Sequence, residues 1–504
     1  MLNSTEGIIM RLREFPSRSE FIHLAQTCNV VPVCVEILAD TKTPVMVLKQ
    51  FYSPDKPIFL FESVEGGERW GRYSFMGISA YSQVSIYPDR IEIDDWRQLQ
   101  VFSHDGDPLN ALRGYMHQFQ AASLADLPRF WGGLVGYLTY EMVSFFEKKI
   151  PGRIGENDRM AHFIVPDQML IFDNVRHTVL ALSLAFLFPG DDPEACYEQA
   201  HHRLEEMIRQ LDDPLKLDEP STPVSDIALY PAISEERFRN MVETVISHIR
   251  EGDVIQTVVS QPFEANAPED LWMLYRSQRF INPSPYLFFM NLGKLTLIGS
   301  SPETMVRLEN GMATLRPIAG TRPRGRTEQE DRALASELLA DEKEKAEHLM
   351  LVDLGRNDLG RIAQTGTVQV TDLMVVERYS HVMHLVSNIT ADIKPGKDAW
   401  DLIRASFPAG TLSGAPKVRA MEIIADLEKE PRGPYGGAVG YISFQGNMDL
   451  AITIRTAVVA DGKLTVRAGA GIGGRFHPGR QSGIETVNKA KAIQRALELI
   501  QGSR

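Results

Sequence analysis

Cysteine is almost absent: Cys28, Cys34 and Cys196 are the only three in 504 residues. An odd number without metal-ligand spacing argues against a disulfide framework or a cysteine-rich metal site and suits reduced thiols in a cytosol. Long apolar runs are missing as well. The stretch TVLALSLAFLF at 178–188 is only about half the length a membrane helix requires, so it reads as a buried strand. The N-terminus, MLNSTEGIIMRLREF, lacks the apolar core of a signal peptide. Positive charge is in deficit, with 53 Lys and Arg against 66 Asp and Glu, and the net charge of -13 argues against a general nucleic-acid binder. What the composition supplies is 43% hydrophobic residues. That is enough for two or three domains or one large composite fold.

One turn runs against the acidic balance. RPIAGTRPRG (316–325), together with Arg326, puts four guanidinium groups into eleven residues. Pairing with Glu328, Glu330 and Asp331 just downstream is the ordinary reading, and a nearby anion is the alternative. Further landmarks divide the chain. LDDPLKLDEPSTPVSDIALYP (211–231) holds four prolines among acids and hydroxyls and reads as a linker. It separates a β-rich region, 20–210, which closes on a helix at about 193–211, from a second region, 232–504. Ser234 and Gly252 mark the two ends of the next helix. Another begins at Thr327 with capping-box spacing, and its apolar period continues towards Leu354.

Within that helix Glu344, Glu347 and Leu351 share one stripe by the i, i+3, i+4 rule. Two carboxylates beside apolar neighbours suit a metal or acid–base role, while an alternating Glu/Lys solvated face is the ordinary reading. Near the C-terminus, Asp461-Gly462 predicts a type I′ hairpin that sets Arg455 opposite Ala468, with Thr453, Ala457 and Ala470 on the same face. An arginine ringed by small residues leaves room for a carboxylate, which a guanidinium fork holds well; surface exposure is the other reading. The last helix, from about Ile484 to Ile500, carries Glu485 and Lys489 at i, i+4.

These pieces stand in an order that resembles one family. ESVEGGERWGRYSF (62–75), NPSPYLFF (282–289), RPIAGTRPRG, EKEKAEHLMLVDLGRNDLG (342–360), VMHLVSN (382–388), GTLSGAPK (410–417), GPYGGAVGY (433–441) and IRTA (454–457) resemble the motifs of the chorismate-utilising enzymes, and most closely those of the anthranilate synthase component I group. The likeness runs from about residue 20 to the end. It implies an α+β fold of two stacked antiparallel β-sheets with helices packed outside. It also implies a cytoplasmic, Mg2+-dependent lyase that makes anthranilate and pyruvate from chorismate and ammonia, the first committed step of tryptophan biosynthesis. Ammonia would come from a glutamine amidotransferase partner, component II, in a heterotetramer, because no Cys/His glutaminase motif is recognisable in this chain.

Carried over residue by residue, the resemblance gives Glu347 and Glu485 to Mg2+. The enolpyruvyl carboxylate falls to Arg455 and Tyr435, with backbone at Gly469, Ala470 and Gly471, and Lys489 joins the substrate set. Glu344 becomes the general acid at the C4 hydroxyl and His384 the base at C2. Gly320 and Thr321 line the ring, and Thr411 lies near the ammonia. Glu62, Ser63, Pro285, Tyr286 and Leu287 resemble the effector site at which tryptophan inhibits.

Two positions discriminate within the family. Aminodeoxychorismate synthases usually carry an attacking lysine where Ala319 stands, and isochorismate and salicylate synthases a water-activating lysine where Gln256 stands. Neither side chain here can do that work. Aminodeoxychorismate synthase component I and a catalytically impaired tryptophan-binding subunit are the rival readings. The second draws on a departure after AGAG. Where the family usually continues like I-V-x-D-S-x-P, this chain reads IGGRFHPGRQSGIETVNK, and Ser482 takes the place of a usual glutamate. Codons for Gly-Gly-Arg-Phe-His-Pro can be written so that a one-base shift reads Val-Ala-Asp-Ser-Ile, and a double frameshift would account for the difference.

Overall fold

Apolar and alternating segments become strands, and these join antiparallel ladders in a hydrogen-bonded network of 23 strands among the described residues. The computed structural model describes residues 9–63, 71–152, 154–214, 227–379, 382–473 and 480–502. The run at 178–188 supplies strand Thr178–Phe186, buried along nearly its whole length. N-terminal and C-terminal strands interleave. Ile58–Glu62 pairs with Tyr286–Asn291, and Gly133–Leu138 pairs with Ala438–Ser443.

One core, around Phe59, Phe75, Tyr137, Phe288 and Tyr441, is built from strand and loop side chains without any helix. It is the interior that two stacked sheet faces create. The other two large cores lie where helices cover the sheet. Pro193–Asp212 and Arg480–Gly502 contribute to one, and Glu342–Gly360 and Ala399–Ser406 to the other. Helices therefore pack outside the sheets, as expected, although the ladders run into one another as a single network.

Local signals placed most helix ends. Ser234 accepts a hydrogen bond from the Arg237 backbone N–H, and Gly252 closes that helix at φ 84°; such a cap stabilises by about 1 kcal/mol. The helix expected to run on from Thr327 is instead two, Glu328–Ala340 and Glu342–Gly360. Asp341 separates them because its carboxylate accepts the backbone N–H groups of Lys343 and Glu344, and such local bonding favours a cap over a helix interior. The break puts Glu344 into a first turn.

The Asp461-Gly462 turn is present, with φ 50° and 74°, and Ala460 faces Lys463. The hairpin register holds only as far as Ala457↔Val466. On its other edge strand Lys463–Gly473 pairs with Gln256–Asn266 along its whole length, with Ala468 facing Gln261, and on the hairpin side no pairing reaches Arg455. Arg455 has left the ladder at φ 51°, and its carbonyl accepts from the Ser300 N–H and from Gln278 Nε2. Most of the expected linker, 215–226, lies outside the described residues.

Candidate active site

The ladder between Ile318–Pro323 and Val382–Asp392 brings three of the expected residues together. Thr321 pairs with His384, and the ladder is irregular between Ala319 and Thr321, where Gly320 takes φ 63°. The Gly320 carbonyl lies 2.9 Å from His384 Nδ1, and Thr321 Oγ1 lies 3.0 Å from the same nitrogen. A carbonyl only accepts, so Nδ1 carries the proton and Nε2 keeps its lone pair. Burial holds His384 below its ordinary pKa, with the Gly320 carbonyl partly opposing and Arg455 pushing the same way as burial. The imidazole is thus neutral and basic at Nε2. A side chain at Gly320 would place Cβ 2.9 Å from Leu338 and 3.1 Å from Glu344 Oε2, so glycine is what lets Glu344 close over this strand. Burial raises the Glu344 pKa, and the negative charges of Glu347 and Asp341 add to it.

A carboxyl that sequence reasoning missed occupies the same chamber. Glu303 sits between strands Leu295–Ser301 and Thr304–Glu309 and is 8% exposed. Burial pushes its pKa up to about 8, against the pull of the Thr411 hydroxyl and of the cations Arg455 and Lys489. Thr411 Oγ1 is itself buried without a conventional hydrogen bond. Three expected residues therefore surround an acid that is protonated near neutrality. The signal was one glutamate inside LTLIGSSPETMVRL, a run otherwise suited to a sheet interior.

The strand at 469–471 is glycine-rich for a steric reason. A Cβ on Gly469 would come within 2.5 Å of the Tyr435 hydroxyl, and one on Gly471 within 2.7 Å of Gln256 Nε2. Ala470 points the other way, into a core with Val242 and Val259. Burial pushes the Tyr435 phenol up to about 12, so it remains a neutral donor. Lys489 Nζ donates to the Gly469 carbonyl at 2.8 Å and pairs with Glu485 at 2.8 Å. Gln256 Nε2 donates to Glu347 Oε1 at 3.3 Å.

Glu347 and Glu485 are the expected metal ligands. Glu347 raises the pKa of its neighbour Glu344 by like-charge repulsion, which a bound cation would relieve. Among the described residues the tight three-residue group of possible ligands is elsewhere, at His248, Glu251 and Asp253, and Asp253 is already paired with Arg419 and His248. Carboxylate oxygen is the donor type Mg2+ takes, a hard cation that commonly keeps several waters and needs few protein ligands; Glu347 holds Gln256 and Glu485 holds Lys489. Of the atypical stretch after Gly473, residues 474–479 lie outside the described residues.

Glu62, Ser63, Pro285, Tyr286 and Leu287 line one pocket, together with Arg129, Arg307 and Asp449. The ladder sets Leu287 against Glu62. Glu62 accepts from the Tyr275 hydroxyl at 2.6 Å and pairs with Arg279; burial raises its pKa. Tyr286 bonds through its hydroxyl to Thr304 at 2.9 Å and donates to Asp449 at 2.8 Å.

The basic turn has an ordinary explanation. Arg324 pairs with Asp331, Arg322 with Glu337 and Asp341, and Arg316 with Glu377, while Arg326 contributes its backbone N–H to Glu330. Only the Asp331 and Glu330 contacts follow the downstream acids named from sequence.

Residues 57–495 match the sequence model of the chorismate binding enzymes. The chain is 43% identical over 498 residues to anthranilate synthase component 1 of Aquifex aeolicus, covering 97% of this chain and 99% of that one. It is 44% identical over 505 residues to the Pseudomonas aeruginosa protein of the same description, with coverage of 97% and 99%. In structure it resembles anthranilate synthase component I from Streptococcus pneumoniae, with a TM-score of 0.75 at 36% identity over 91% of this chain and 98% of that one. MenF, the menaquinone-specific isochorismate synthase from Escherichia coli, is similar in fold, with a TM-score of 0.70 at 18% identity over 95% and 98%.

Proposed function

The chain belongs to the chorismate-binding enzyme family, and from that premise we propose that it is the large subunit of an anthranilate synthase, making anthranilate and pyruvate from chorismate and ammonia. The observation that carries the choice within the family is what stands where an amine would be needed. Ala319 offers no nucleophile, and the Gln256 amide donates to Glu347 rather than acting as a base. Free ammonia is the nucleophile that remains.

Ammonia adds to the ring at C2 as the C4 hydroxyl leaves. Glu303 gives that hydroxyl its proton, so that it departs as water. We assign this step to Glu303 rather than to Glu344 because a buried carboxyl with a pKa of about 8 holds its proton at neutral pH. His384 Nε2 then takes the C2 proton, the C3–oxygen bond breaks to release pyruvate, and the ring becomes aromatic. Arg455 and Tyr435, with the backbone at 469–471, hold the enolpyruvyl carboxylate, and Thr411 orients the ammonia. Gly320 and Thr321 line the ring. Glu347 and Glu485 would hold Mg2+, which supplies neutralisation of the ring carboxylate.

A cytoplasmic setting and a glutamine amidotransferase partner belong to the same reading, since most ammonia is protonated at neutral pH and needs delivery. The pocket at Glu62 and Tyr286 is the tryptophan site. Anthranilate fluorescence tests the proposal directly. The purified chain with chorismate, Mg2+ and ammonium is expected to form anthranilate, and with glutamine none until the partner is added. Accumulation of aminodeoxychorismate, or glutamine use by the single chain, would overturn it.

A further inference from the structure

Behind Tyr435 lies a buried ion cluster to which the reaction gives no task. The Arg432 side chain is only 2% exposed. Its guanidinium donates through Nε and Nη2 to the two oxygens of Glu428, at 2.9 and 2.7 Å. Nη1 also donates to the Leu412 carbonyl at 2.7 Å, and Nη2 to the Val258 carbonyl at 2.8 Å. The rings of Tyr140 and Tyr435 lie 4.4 and 5.8 Å from the same group. Glu428 accepts from the Ser260 backbone N–H at 2.7 Å, and Arg467 joins it at 3.3 Å. The Arg432 and Gly433 backbone N–H groups donate to Glu141, at 2.5 and 3.1 Å.

Two of these bonds fall where a neighbouring strand stops. Strand Gln256–Asn266 pairs with Gly414–Ala415 only at Gln256 and Thr257. One step on, the Val258 carbonyl goes to Arg432 and the Ser260 N–H to Glu428, so side chains satisfy backbone groups that a strand would otherwise take. The opposite edge of the same stretch faces the substrate wall: Val258, Val259 and Ser260 pair with Gly471, Ala470 and Gly469. Leu412 follows Thr411 directly. One guanidinium thus ties together three parts of the chamber.

Burying this cluster carries a desolvation penalty that an apolar replacement would avoid. Apolar side chains, however, cannot aim four N–H groups from one point at two carbonyls and a carboxylate. We propose that Arg432 is a positioning residue for the carboxylate-binding wall, setting Tyr435, the backbone at 469–471 and the Thr411 turn relative to one another without touching substrate. This rests on the assignment of Tyr435 and 469–471 to the enolpyruvyl carboxylate.

The test is steady-state kinetics of the full chain with ammonium, comparing Arg432→Lys, Tyr435→Phe and the double variant, each checked by thermal unfolding. Lysine keeps the charge and loses the fork. The expected result is a chorismate KM raised about 10- to 100-fold, a smaller fall in kcat, and a total effect in the double variant below the product of the single ones. A folded Arg432→Lys protein with wild-type KM for chorismate, a loss confined to kcat, or fully multiplicative effects would overturn the inference. If Arg432→Lys does not fold, Glu428→Asp, which draws the anchor back by one methylene, gives the same readout, and an unchanged KM is equally fatal. An unchanged KM in Tyr435→Phe would instead remove the site assignment itself, and the inference with it.

Discussion

His384 donates its Nδ1 proton to the Gly320 carbonyl across 2.9 Å, leaving Nε2 as the basic nitrogen of a buried, neutral imidazole. The bond orients the ring as well as choosing its tautomer. Burial keeps the His384 pKa below the ordinary histidine value. The base form therefore dominates at neutral pH, and kcat/KM is expected to fall only as pH drops below about 6.5. His384→Ala should cost about 10²- to 10⁴-fold in kcat, as removal of a general base commonly does. An alanine variant that keeps wild-type turnover would eliminate the assignment.

Glu303 provides the opposite limb. As the acid it must be protonated, so activity should decline as pH rises through about 8. Its raised pKa also works on stability. Between the unfolded value of about 4.5 and the folded value of about 8 the native state holds a proton that the unfolded chain has released, so this contribution is complete below the first and lost on rising through the second. Glu303→Gln should abolish most turnover yet raise Tm relative to wild type at pH 9 more than at pH 5. A pH-independent change in Tm would show that Glu303 is not protonated in the folded protein.

Ser63→Phe should weaken tryptophan inhibition about 5- to 30-fold with little change in kcat, corresponding to roughly 1–2 kcal/mol of lost contact. Leu287 is a poorer probe. At 1% exposure it belongs to a core, and an arginine there would cost folding before it cost regulation. Equal inhibitor constants for wild type and a folded Ser63→Phe variant would remove the pocket from the regulatory reading.

The stretch GGRFHPGRQSG (473–483) brings Arg475 and Arg480 close in sequence to Glu485 and carries no acid of its own, where the resemblance implies one. Replacing it with a VADSIP-type segment should lower the Mg2+ concentration needed for half-maximal rate, since an added carboxylate attracts the cation and arginines repel it. Identical Mg2+ dependence would free this segment from any role in metal binding. Sequencing the gene addresses the frameshift, which is discarded if the alternate frame encodes no VADS-like string.

Local chemistry fixed what depends on neighbours along the chain. Ser234 and Gly252 bound their helix because a cap needs only the backbone of one turn, and Asp461-Gly462 made its turn because two residues suffice for left-handed φ. Motif order was enough to indicate the family. The choice of free ammonia followed from the residues at Ala319 and Gln256. Tertiary structure decided everything that depends on partners distant in sequence. Hairpin register alone could not foresee that strand Lys463–Gly473 would find its long partner in Gln256–Asn266, or that Arg455 would leave the ladder and give its carbonyl to Ser300 and Gln278. Helical periodicity did not reveal that Asp341 would cap and divide the helix carrying Glu344. Glu303 is the sharpest case. Its sequence neighbours mark it only as a glutamate in an apolar stretch; its raised pKa comes from burial, which outweighs the opposing pull of Thr411, Arg455 and Lys489, between 108 and 186 residues away. A carboxyl's pKa is set by the medium and charges around it in space, and those are assembled only by the fold.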